Sequence, residues 1–241
     1  MTKLNTNLSK RQSVMSSTIL KSSYKLSQVE ENIIYLVLGR MNSKLEVSST
    51  EFYSVEVEEY AIMKGISVKD AYEVVKSAVE TLFDRVITIP LENNKVLKTR
   101  WIQSVEFSPD RKEIRIMWAQ GLIPYISQLK DKFARLPTLE MVQIDGSYAK
   151  RLAQLVFDGR NLASRYSKSK EIEIELCLKD IYEQWGVPKS CLEYRFFKQL
   201  ILVPAMKEIE KKTGLVLLLV DKESRCKSGR RVERVWVGYG L

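Results

Sequence analysis

Apolar residues first recur at helical spacing where Val29, Ile33, Leu36 and Val37 stand at i, i+4, i+7 and i+8. That stripe predicts an amphipathic helix reaching about Met41. Ser27 and Glu30 open it at capping-box spacing: the serine hydroxyl accepts from the Glu30 amide while the carboxylate accepts from the Ser27 amide. Residues 52–57 alternate like a short strand. Val57 to Met63 then reads as a helix, Lys64-Gly65-Ile66 as a turn, and Ser67 as the N-cap of a helix reaching about Asp84. In that helix Ala71, Val74, Val75, Ala78 and Leu82 are the expected buried stripe, which leaves Lys69, Tyr72, Glu73 and Lys76 outside. Ala61 and Gly65 stand where a helix-turn-helix needs a small residue for close packing and one that tolerates positive φ.

Two hairpins should follow. Val86 to Leu91, the turn Asn93-Asn94 and Val96 to Ser104 make one. Val105 to Phe107, the turn Ser108-Pro109-Asp110-Arg111 and Ile114 to Trp118 make the other. Leu122 to Phe133 is expected to be helical, with Pro124 in its first turn, and Pro137 marks a break between domains.

The same order of elements then recurs. Ser147 caps a helix ending near Gly159, followed by a polar loop from Arg160 to Lys170. Ile172, Ile174 and Leu176 alternate with Glu171, Glu173 and Glu175 along a strand. Leu178 to Trp185 reads as a helix, Gly186 as a turn, and Cys191 to Lys212 as a longer helix that Pro204 should kink. Leu215 to Val220 and Arg231 to Tyr239 form a closing hairpin. Helix, strand, helix, turn, helix and hairpin therefore occur twice. The expected fold is α+β, two tandem winged-helix domains, each a helix-turn-helix plus a β-hairpin. Residues 1–20 are expected as a disordered basic tail, 21–139 as the first domain and 140–241 as the second.

Bulk properties narrow the function. The chain has 241 residues, 45% hydrophobic and 29% charged, enough for two domains with real cores. No apolar run approaches the roughly 20 residues of a membrane span, and the start carries no signal-peptide core, so a cytoplasmic location is expected. Three cysteines form no CxxC and are odd in number, which argues against a disulfide framework. Histidine is absent. That excludes His-based triads, His-bound zinc and the paired-histidine site of rolling-circle nicking enzymes. A GxxxxGK[ST] phosphate loop is also missing. No enzymatic activity, cofactor or metal is expected.

The net charge of +9 is unevenly spread. Residues 141–241 carry +6, and residues 1–25 hold five basic side chains and no acid. A polyanion binder distributes charge in this way. Tyr194, Arg195, Lys198 and Gln199 cluster in the first turns of the long helix, while Phe197, Leu200, Ile201 and Met206 can face the core. Arg and Lys suit guanine O6 and N7, and Gln suits adenine, when such a helix lies in the major groove. Lys227, Arg230 and Arg231 crowd the closing hairpin around Ser228-Gly229, as a wing gripping phosphates would require. The alternatives are an ordinary solvated helix face and a solvated turn. The Glu171, Glu173 and Glu175 row lacks converging ligands, so a solvated strand face is expected there rather than a metal site.

A family resemblance lies in an ordered series of short motifs: Ser23-Tyr24-Lys25-Leu26-Ser27, Trp101-Ile102, and Leu122-Ile123-Pro124-Tyr125 leading to Phe133. It continues with Ser147-Tyr148-Ala149-Lys150-Arg151-Leu152, Phe197-Lys198-Gln199 and the run Val203 to Ile209. Over residues 20–239 the chain resembles the replication initiator (Rep) family of iteron-containing plasmids, the F-plasmid-type initiators. The resemblance implies binding to directly repeated double-stranded origin sites as a monomer, in equilibrium with a homodimer formed largely through the first domain. That dimer would bind an inverted repeat and repress the initiator's own gene. It also implies recruitment of the host replication initiator and helicase, and contact with no membrane. The second domain would be the main reader, through Tyr194, Arg195, Lys198 and Gln199, with Lys227, Arg230 and Arg231 on the backbone. Lys69, Tyr72 and Lys76 would touch DNA from the first domain. Where the family often has several consecutive basic residues, this sequence has Lys198-Gln199-Leu200, a departure that bears on base preference. A tandem winged-helix transcription regulator without a replication role would need the same groove contacts.

Overall fold

Regular structure starts early in the computed structural model, which describes residues 10–166, 171–225 and 232–240. Strand β1 (Gln12–Ser16) runs directly into the short helix α1 (Ser17–Leu20). The expected disordered tail is therefore corrected from Gln12 onward, and the first nine residues lie outside the described ones. Met15, Ile19 and Leu20 are buried. The other inward residue of β1 is polar: Ser13 donates to the Tyr35 carbonyl at 2.7 Å and meets the Thr138 hydroxyl at 2.8 Å. A strand that turns a serine inward and changes to helix after five residues leaves no apolar period to read.

The chain divides into two units, residues 1–143 and 144–241. In the first, β2 (Ser23–Tyr24) precedes α2 (Gln28–Arg40), which begins with both hydrogen bonds of the capping box. Every residue from Glu30 to Leu38 is buried, so α2 is a central helix rather than an amphipathic one lying on a surface. The Glu30 carboxylate accepts from the Ser27 amide at 2.5 Å, the Thr81 hydroxyl at 2.6 Å and Arg85 Nε at 2.9 Å. Burial alone would raise its pKa, but these hydrogen bonds and the Arg85 charge outweigh burial and hold it below the ordinary value.

Strand β3 (Tyr53–Val55) leads into α3 (Val57–Lys64), and α4 (Val68–Leu82) follows a turn at Gly65 with φ 66°. Ser67 caps α4 by accepting from the Asp70 amide. The buried stripe of α4 is Ala71, Tyr72, Val75, Ala78, Val79 and Leu82. Val74, expected inside, is exposed. Beyond α4, β4 (Val86–Pro90) and β5 (Val96–Arg100) form a hairpin, and β2 completes their sheet in the order β2-β4-β5. The strand expected over Val96 to Ser104 breaks at Trp101, which is buried and meets Tyr24 edge-on at 5.2 Å. Its second part, β6 (Ile102–Ser108), pairs instead with β7 (Glu113–Trp118) in a sheet ordered β3-β7-β6.

The helix expected over Leu122 to Phe133 is absent. Gln120–Tyr125 is a single 3₁₀ stretch containing Pro124, which has no amide to donate. Gln128 and Lys132 then take φ near +50°, a conformation incompatible with helix. Strand β8 (Phe133–Pro137) pairs antiparallel with β1, and α5 (Thr138–Gln143) closes the first unit, past the expected break at Pro137.

In the second unit, α6 (Ser147–Tyr166) runs through Gly159 rather than stopping there, and takes in much of the expected polar loop. A Cβ at Gly159 would come within 3.1 Å of Ile174, so the glycine serves close helix–strand packing and not helix termination. Then come β9 (Glu171–Cys177), α7 (Leu178–Gln184) and a turn at Gly186, φ 61°. The long second helix is α8 (Tyr194–Phe197), one π turn over Lys198–Leu202, and α9 (Val203–Thr213). Strands β10 (Leu217–Arg225) and β11 (Val232–Gly240) form the hairpin, in a sheet ordered β10-β11-β9.

Candidate nucleic-acid interface

Four aromatic rings fix the second helix-turn-helix. Phe197 is fully buried, 5.1 Å from Tyr182 edge-on and 6.3 Å from Trp185, and Trp185 stacks on Tyr148 at 6.3 Å. Arg151 on α6 donates to the Gln184 carbonyl at 2.8 Å, which satisfies an end group of α7. At the other end of the long helix, Glu208 accepts from the Asp145 and Gly146 amides at 2.6 and 2.9 Å. The helix carrying the candidate reading residues is thereby held at both ends.

On that frame Arg195, Lys198 and Gln199 are exposed and Tyr194 is half-buried. Phe197, Ile201, Leu202 and Met206 face the core. Leu200, expected inside, is 62% exposed, and Leu202 takes the interior position. The π turn accounts for the exchange. The Val203 amide donates to the Lys198 carbonyl, an i→i+5 bond that widens the winding just before Pro204. Pro204 has no amide for the Leu200 carbonyl, and its ring would clash with that carbonyl in ordinary α-winding.

Lys227, Arg230 and Arg231 lie outside the described residues; β10 and β11 are paired as far as Arg225 and Val232. Arg234 on β11 reaches Glu175 on β9 at 3.2 Å. The alternating glutamates thus serve at least one cross-strand ion pair. Among the described residues no group of His, Cys, Asp or Glu is placed to hold a metal ion.

The first unit separates its three expected contacts. Lys69 is exposed at the start of α4. Lys76 is half-buried, its Nζ 5.9 Å from the centroid of the Phe107 ring. Tyr72 is only 6% exposed, and this corrects its expected place on the outer face: the ring packs in the core, out of reach of a polyanion. The outer face of α4 also presents Asp70, Glu73 and Glu80, which would repel phosphates. Sequence reasoning passed over Lys95 and Lys98, both exposed on the β4–β5 hairpin. That hairpin follows the helix-turn-helix as a wing should, and its basic run Asn94-Lys95-Val96-Leu97-Lys98-Thr99-Arg100 was the available signal. Arg11, counted as tail charge, instead binds Glu59 at 2.7 Å.

Among the described residues, no helix is long and apolar enough to cross a membrane. In comparisons with known proteins, the chain is 24% identical over 210 residues to a replication initiation protein of Escherichia coli, covering 85% of this chain and 63% of that one. The chain thus spans less than two thirds of that relative's length. It is 22% identical over 232 residues to the PI protein of Escherichia coli, covering 85% and 74%. Its fold matches a crystal structure of the Pi initiator protein in complex with iteron DNA. That match has a TM-score of 0.78 at 18% identity and covers 97% of this chain and 98% of that one. The family model described as initiator replication protein, WH1, matches residues 12–156. The model described as initiator Rep protein, WH2, matches residues 178–235. With tandem winged helices in this order, each matched by its own family model, the chain belongs to the replication initiator (Rep) protein family.

Proposed function

We propose that this chain is a plasmid replication initiator that binds repeated double-stranded origin sites through the major groove. The observation that carries this reading is the exposed trio Arg195, Lys198 and Gln199 on a helix fixed behind the Gly186 turn, with a β-hairpin following. Arg and Gln each make bidentate contacts to a purine edge, and the hairpin residues Lys227, Arg230 and Arg231 supply phosphate contacts. Tyr194 adds a contact beside Arg195. The first unit contributes Lys69 with Lys95 and Lys98 of its own hairpin, and Lys76 has at most a supporting part. The protein acts by binding, without making or breaking bonds. A dimer formed through the first unit, autorepression, and contacts to a host initiator and helicase belong to the same reading, on the strength of family membership.

Footprinting of the purified protein on the DNA flanking its own gene tests the proposal. Protected segments recurring at about one helical turn, roughly 10–10.5 base pairs or a multiple, are expected. Equal affinity for that DNA and for random duplex would overturn it.

A further inference from the structure

The reading helix exposes two large apolar side chains where a purely electrostatic surface needs none. Phe196 is 40% exposed and Leu200 is 62% exposed, at i and i+4. The core does not require them, because Phe197, Ile201 and Leu202 already fill it. They stand immediately beside Arg195 and Gln199 in sequence, and all four are exposed within the same two turns. Phe196 and Leu200 stand four residues apart on the outward side, as the buried Phe197 and Ile201 do on the inward side.

Only one base offers an apolar group in the major groove: thymine, through its 5-methyl. We propose that Phe196 and Leu200 are specificity-determining residues that read thymine methyl groups, so the preferred site carries thymine beside the base pairs met by Arg195 and Gln199. This rests on the major-groove reading above and adds to it the chemistry of the bases selected. Burying one methyl against these side chains is worth about fourfold in affinity.

The test uses the full chain. A preferred sequence is first selected from a random duplex library, and each thymine in it is then replaced singly by deoxyuridine, which keeps base pairing and loses only the methyl. The expected result is one or two thymines where deoxyuridine weakens wild-type binding by about fourfold. At those positions Phe196→Ala or Leu200→Ala should erase the difference, with binding to random duplex unchanged. The proposal is overturned if wild type binds every deoxyuridine site as tightly as the thymine site, or if the methyl effect survives undiminished in both variants. That result would leave sequence-specific binding intact and assign the apolar pair elsewhere, for instance to a protein partner. A library that yields no preferred sequence would remove the groove-reading itself, and this inference with it.

Discussion

Glu30 carries a carboxylate with no solvent-exposed surface, and its partners Ser27, Thr81 and Arg85 come from three different places in the first unit. Removing such a partner costs about 1–3 kcal/mol, because the donors left behind stay desolvated. Glu30→Gln should lower the unfolding free energy by about that amount at neutral pH. The pH dependence has a definite sign. The folded-state pKa lies below the ordinary 4.5, so the stabilisation is fully present above that value and is lost as pH falls through the folded one. Denaturant melts of the two proteins should therefore draw together as pH falls below 4.5; a gap that stays constant far into acid would contradict the ionised carboxylate. Capping by Ser27 and Ser67 was legible from residue spacing alone, since an N-cap depends only on neighbours in the chain. Tyr72, Val74 and Leu200 were not. In α4 Val74 and Val75 stand side by side, and a period of 3.6 does not say which of them turns inward. Only packing against α2 and β6 decides it.

Elements whose pattern is local were legible, and those made by long-range pairing were hidden. Both helix-turn-helix units could be placed because Gly65 and Gly186 each adopt positive φ between two periodic runs. β1 escaped notice because its partner β8 lies more than a hundred residues away. Deleting residues 1–20 now has a clear expected outcome. The deletion exposes the groove left by Met15, Ile19 and Leu20, each worth about 1.5–3 kcal/mol, a loss comparable to the whole stability margin of a domain. Calorimetry should find the first unit without a cooperative transition, whereas a disordered tail could be removed with no change in melting. Breaks inside predicted elements were equally invisible: Trp101 splits one strand between two sheets, and Gly159 continues a helix it was expected to end. In both cases a tertiary contact overrides the local signal.

Charge was the property most readable from composition, and its distribution over the folded protein is more selective than the count. Arg11, Arg40, Arg85 and Arg234 are bound to carboxylates, so they are neutralised where they stand and the net excess rests on other basic residues. Arg195, Lys198, Lys69, Lys95 and Lys98 remain exposed. If the last two grip phosphates, Lys95→Ala with Lys98→Ala should reduce the slope of log K against log salt by about 0.9 for each phosphate no longer neutralised. Sequence preference should stay unchanged, since phosphate contacts carry no base information. An unaltered slope would remove the β4–β5 hairpin from the binding surface.

The wide turn between Phe197 and Leu202 has a bearing on how such a protein can vary. It fits one residue more than α-winding would between Phe197 and Leu202, so a codon lost there would bring back the clash with Pro204 that the turn relieves. The length of this turn is therefore fixed by the proline beside it, and variety among the protruding side chains has to come by substitution.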